Sequence, residues 1–127
     1  MPTISQTTAN VLETNYVVYN GKEYQVKTAY ALITASTNAQ VVAAVSGKQI
    51  CCIGYIVNNP TGNSTYKFTS FNGVATHTDL TLTFDTVSNV LHRSTQDLVQ
   101  FIGVVSEAIH LFAGANNIST QVWYIEV

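Results

Sequence analysis

Short apolar runs separated by Asn, Gly, Ser and Pro recur along the whole chain, and in most of them apolar and polar residues alternate at the period of a strand. In Gln40 to Asn58, QVVAAVSGKQICCIGYIVN, the runs Val41 to Val45 and Ile50 to Val57 flank Ser46, Gly47 and Lys48. Both runs are rich in β-branched residues and Gly47 suits a turn needing φ > 0, so the spacing predicts a hairpin built into a core. Upstream, ETNYVVYNGKEYQV places Asn20-Gly21 between two Tyr- and Val-rich runs, a strong two-residue hairpin signal, with Tyr16, Val18, Tyr24 and Val26 as candidate cross-strand partners.

Thr28 to Thr34, Tyr66 to Ser70 and Gln121 to Val127 read as strands, and NNPTGNS, Asn72-Gly73 and AGANN read as turns. DLTLTF, from Asp79 to Phe84, alternates cleanly, with Leu80, Leu82 and Phe84 on one face. Ser94 to Phe112 is two-sided. Leu98, Phe101, Ile102, Val105, Ile109 and Phe112 fall at helical spacing after a capping-box-like Ser94 and Asp97, whereas Gly103 and the β-branched Val104 and Val105 oppose a helix. The expectation is a short helical turn near Thr95 to Leu98, followed by strands. Many strands with Asn and Gly turns imply an all-β fold, a jelly-roll-like β-sandwich or barrel carrying an N-terminal arm and hairpin. Residues 1–15 are polar and read either as a frayed terminus or as a docking arm; residues 16–127 form a single domain.

Composition narrows the function. A chain of 127 residues can bury a core without metals or disulfides. Only 9% of it is charged against 46% hydrophobic, so its solvent face is largely uncharged and poorly protected against association. A net charge of -2 and five scattered basic residues give no footprint for nucleic acid. There is no signal-peptide pattern and no run of eighteen apolar residues, so no membrane partner is expected and synthesis is expected in the cytoplasm.

Signals for chemistry are thin. Cys51 and Cys52 are adjacent in a strand, point to opposite faces and are expected as reduced, apolar-like thiols. His77, His92 and His110 share no metal-ligand spacing, and Asp79, Asp85, Asp97 and Glu107 stand singly and read as solvated acids. There is no GxSxG elbow and no phosphate loop, so neither an enzyme nor a cofactor is expected. Two sequons, at Asn63 and Asn117, read as chance in an Asn- and Thr-rich chain. Tyr16, Tyr19 and Tyr24 suit cross-strand pairing or an interface better than a sugar platform.

Four stretches together resemble a small all-β module of tailed-phage virion proteins. Val41 to Val57 is similar to its AAV-x-GK-x-I turn, Tyr66 to Gly73 (YKFTSFNG) to a TFKSG-like segment, Ser106 to Ile109 (SEAI) to a GEAL-like segment, and Tyr124 to Val127 to a terminal YxEV. The resemblance runs from about Tyr24 to Val127, departing where Cys51-Cys52 replaces a basic strand and where Ser106 replaces Gly. It implies a head decoration, cement, head-fibre or tail-associated protein, commonly trimeric. The expected function is a capsid decoration (cement) protein on the virion exterior: a homotrimer that binds the major capsid protein and stabilises contacts between its subunits. A head-fibre or tail-tip protein binding host surface glycans is the alternative, and a non-viral lectin-like or cupin-like domain is a third. Candidate capsid contacts are Tyr16, Val17, Val18 and Tyr19, which could pair with a capsid strand edge or fill a groove between subunits.

Overall fold

Asn20 and Gly21 take φ of 50° and 78°. That is the left-handed geometry a two-residue hairpin loop requires, and β1 (Tyr16–Tyr19) pairs antiparallel with β2 (Lys22–Gln25) around it, Tyr19 opposite Lys22. The register differs from the expected pairing, because Tyr24 faces Val17 across the strands and Val18 faces Glu23. This computed structural model describes residues 16–60, 62–86, 90–93 and 99–127. The arm, residues 1–15, and the helical turn expected near Thr95 to Leu98 lie outside the described residues.

Ten further strands follow among the described residues. They are β3 (Lys27–Ile33), β4 (Asn38–Val42), β5 (Ile50–Asn59), β6 (Ser64–Phe71), β7 (His77–Asp79), β8 (Phe84–Thr86), β9 (Val90–Arg93), β10 (Phe101–Ile102), β11 (Ala108–Ala113) and β12 (Ile118–Glu126). The described residues include no helix. One sheet runs β3, β12, β5, with β10 and β9 sharing the far edge of β5; the other runs β4, β11, β6, with β7 and β8 sharing the far edge of β6. Every pairing is antiparallel, and the chain changes sheet at six of the nine connections from β3 to β12. This is the wrap of a jelly-roll β-sandwich.

The wrap overturns the central hairpin expected from the sequence. β4 and β5 lie in different sheets, so Val41 to Val45 and Ile50 to Val57 are not partners. Val41 and Val42 of the first run and Ile50 to Ile53 and Val57 of the second are buried, but each run finds a more extensive partner elsewhere, β4 on β11 and β5 on β12. The connection between them is an arch. Gly47, at φ 75°, still turns the chain, and the arch is tied to the loop after β10: the Gly47 N–H donates to Ser106 Oγ at 2.8 Å, the Ser106 N–H to the Lys48 carbonyl at 2.8 Å, and Gln49 Nε2 to the Gly103 carbonyl at 3.0 Å.

DLTLTF likewise does not form one strand. β7 ends at Asp79 and β8 begins at Phe84, and Leu82 projects 81% exposed between them. The cause is local: the Phe68 N–H on β6 donates to the Thr81 hydroxyl rather than to a backbone carbonyl, at 3.1 Å, which interrupts the ladder. Downstream, β10 and β11 occupy the region after Gln100, and the last strand starts at Ile118, three residues before the expected Gln121. Val127 and Gln49 exchange backbone hydrogen bonds in both directions, tying the last described residue to the arch.

Between the sheets lie Ile33, Val57, Phe68, Leu111, Ile118 and Val122, all essentially inaccessible. Each such side chain removed from water contributes about 1.5–3 kcal/mol. Phe68 is the aromatic centre, stacked on Phe101 at 4.7 Å and edge-on to Tyr55 at 5.0 Å and Tyr66 at 6.2 Å. Polar groups reaching this layer are satisfied: buried Ser70 donates to Glu107 Oε1 at 2.9 Å and accepts the Val104 N–H at 3.0 Å. Glu107 therefore serves to anchor a loop and is not the free surface acid expected from its isolated position.

Candidate functional site

The outer side of the first sheet divides into a covered half and a bare half. Cover comes from the β1–β2 hairpin, whose Val17, Tyr19 and Tyr24, with Val26, pack on Cys51, Ile53 and Ile125 beside Trp123. A bulge makes this possible. Trp123 pairs with Gly54 and Tyr124 with Cys52, so Ile53 is the extra residue on β5 and joins Cys51 on the outer side while Cys52 points into the inter-sheet core.

The hairpin's own alternation separates the four candidate contact residues. Val17 and Tyr19 turn inward to the covered cluster, and Tyr19 meets Tyr24 edge-on at 6.4 Å. Tyr16 and Val18 face out, 47% and 72% exposed. Only these two are free to meet a partner without dismantling the hairpin's packing.

The bare half is a shallow depression of about 520 Å³ over β3, β12 and β5, bordered by Tyr30, Leu32, Ile56, Asn58, Ser119 and Gln121. Register aligns these residues in two rows on one face: Tyr30, Gln121 and Ile56 in one, Leu32, Ser119 and Asn58 in the other. Tyr30 is 74% and Leu32 76% exposed, an unusual state for large apolar residues of a regular strand. The side chains of Asn58, Ser119 and Gln121 make no hydrogen bond to any described residue. Lys27, at the start of β3, is paired with Glu126 at 3.0 Å.

The outer side of the second sheet holds an aromatic and histidine cluster that sequence spacing did not reveal. Phe71 stacks on His77 at 4.3 Å and lies 4.6 Å from His110, and the two imidazoles are edge-on at 5.2 Å. His77 Nε2 is buried with no hydrogen-bond partner among the described residues, while His110 Nδ1 sits 3.3 Å from the Asn38 carbonyl. Among the described residues, no group of three His, Cys, Asp or Glu side chains is placed to hold a metal ion. Asp79 pairs with Lys67 at 3.1 Å, Asp85 lies in β8, His92 lies in β9, and Asp97 is outside the described residues. The imidazole pair came together only because β7 and β11 flank β6, a neighbourhood no local pattern encodes.

Burial pushes the His110 imidazole below its ordinary value of 6.5; its contact with the Asn38 carbonyl opposes this and the nearby His77 adds to it. A histidine whose folded pKa is depressed leaves the native state with fewer protons than the unfolded one just below pH 6.5. Stability is therefore full above 6.5 and falls as pH drops from there toward the folded value. We expect the thermal midpoint to decline between pH 7 and pH 5, and the decline to be shallower in His110→Phe. An identical pH slope in the two proteins would contradict this assignment.

Both cysteines are free and fully buried. Burial pushes the Cys52 thiol up to about 12, and its Sγ donates to the Gly54 carbonyl at 3.3 Å; burial also raises Cys51. Neither thiol is available as a nucleophile or redox pair in the folded chain.

No family model and no curated protein matches this chain. Among solved structures it is similar to a chain from work titled "Bacillus endospore appendages form a novel family of disulfide-linked pili", at 17% identity and a TM-score of 0.37, covering 88% of this chain and 98% of that one. A likeness at that level carries no argument about function.

Proposed function

We propose that the chain is a structural subunit of a virion surface, a capsid decoration (cement) protein that binds the major capsid protein on the outer shell and bridges its subunits, as a homotrimer. The observation that carries the reading is the apolar exposure on one side of an otherwise sparsely charged jelly roll: Tyr30 and Leu32 on β3, and Tyr16 and Val18 on the outward side of the hairpin. Such a surface is stabilised by being covered, and several modest contacts made by one oligomer add through high effective concentration without any single tight site. The resemblance to the phage module gains support at its departure point. Ser106, standing where the module has Gly, takes φ 65°, the left-handed conformation that glycine adopts most easily.

A sedimentation assay tests the proposal. Purified chain added to tailed-phage heads that lack it should pellet with them and saturate. A Val18→Asp, Leu32→Asp double variant should bind about tenfold or more weakly while keeping its thermal midpoint, since both sites are exposed. Failure of the unmodified chain to pellet would reject the reading. A second reading, a head-fibre or tail-tip protein that binds host glycans, draws on Tyr30 beside the side chains of Asn58, Ser119 and Gln121, which make no hydrogen bond to a described residue.

A further inference from the structure

We infer that the free edge of β3 is a self-association site, where a second copy of this chain pairs its own β3 antiparallel across a two-fold axis centred on Tyr30. Among the described residues β3 is the terminal strand of its sheet and pairs only with β12. Over Lys27–Ile33 no backbone hydrogen bond to a described residue is made outside that ladder, so alternate N–H and C=O groups face outward. Edge strands are ordinarily protected by proline, a bulge, charged side chains or a short length. β3 has only one such feature, Lys27 at its first position, which is paired with Glu126; the strand is seven residues long and its register with β12 is unbroken.

The sequence of the strand is complementary to itself. Centring the axis on Tyr30 uses all seven residues: Tyr30 meets Tyr30, Ala29 meets Ala31, Thr28 meets Leu32, and Lys27 meets Ile33 of the second copy. No like charges are opposed, and the two most exposed apolar side chains of β3 come together on the outer side as a Tyr–Tyr pair flanked by Leu32 from each copy. Two-fold symmetry makes such a contact closed rather than propagating. One strand edge and these side chains fall short of the roughly 800 Å² per partner of a standard stable interface, so the contact is weak alone and gains strength when other contacts hold the copies near. The inference does not rest on the capsid reading; a chain that self-pairs here and ignores phage heads would leave it intact.

Cysteine cross-linking of the full chain reads the register directly, because the native thiols are buried. Directly opposed residues of antiparallel strands have Cα atoms about 4.5–5.5 Å apart, within disulfide reach. Tyr30→Cys should therefore form a disulfide-linked dimer on mild oxidation, with a yield that rises with concentration. Thr28→Cys and Leu32→Cys should each cross-link about tenfold less alone, since four residues of offset put like positions beyond reach, yet an equal mixture of the two should give the mixed dimer. All three positions are exposed, so the fold is retained. Monomer in every sample, as would follow if residues preceding Tyr16 occupied the edge, overturns the inference. So do equal yields from all single variants, which would signify random collision.

Discussion

Replacing Phe68 with Ala should cost about 3–5 kcal/mol of folding free energy, the usual range for emptying a fully buried aromatic site. Phe68 has no accessible surface and is held by Phe101 on one side and by Tyr55 and Tyr66 on others, so the lost ring leaves a cavity lined by three aromatics on three strands, β10, β5 and β6. Those rings cannot collapse into the space together, because each is fixed by its own strand's register. A domain of this size is stable by only about 5–15 kcal/mol, so the variant should lose a large part of its margin. Its thermal midpoint should fall by roughly 10–20 °C, and its urea midpoint should fall in proportion. Leu32→Ala, at a site 76% exposed, should stay within about 0.5 kcal/mol of the unmodified chain. A Phe68→Ala midpoint close to that of Leu32→Ala would place the centre of the core elsewhere.

The same contrast shows how far the sequence could be read. Tyr66, Phe68 and Ser70 alternate with polar neighbours and point into the sandwich as their period of two requires. Asn20-Gly21 encodes its hairpin locally, and the φ values follow from the two residues themselves. The all-β class and the jelly-roll type were legible in the same way, from many short strands and their turn residues. β3 was legible as a strand but its faces were not. In TAYALI both faces are apolar, and a reader would bury Tyr30 and Leu32; the fold instead turns Ala29 and Ala31 toward the core and leaves the larger pair outside.

Pairing was the other illegible part, because it depends on partners distant in the chain. The arch from β4 to β5 carries every local mark of a hairpin, including a glycine at positive φ, and still joins two different sheets. Local turn chemistry fixes where the chain bends. It does not fix which strand lies alongside, and a longer ladder elsewhere, such as β5 on β12, wins over the nearer one. For the same reason the contact of His77 with His110 had no signature, and the split of Tyr16 and Val18 from Val17 and Tyr19 appeared only once the hairpin was seen lying on the sheet.

If this jelly roll acts by covering surface on a virion, copy number should show the effect at its largest. A cement protein must occupy repeated sites over the shell, since its contribution comes from many modest contacts between neighbouring capsid subunits rather than from one strong site. Its abundance is then tied to that of the subunits it bridges. A glycan-binding fibre or tail tip would be confined to a few positions, whatever its affinity. The deciding measurement is the molar ratio of this chain to the major capsid protein in purified virions, by quantitative mass spectrometry with labelled peptides from both. The expected ratio approaches one to one, or a fixed simple fraction of it. A ratio corresponding to a handful of copies per particle, or absence of the chain from the virion, would contradict it.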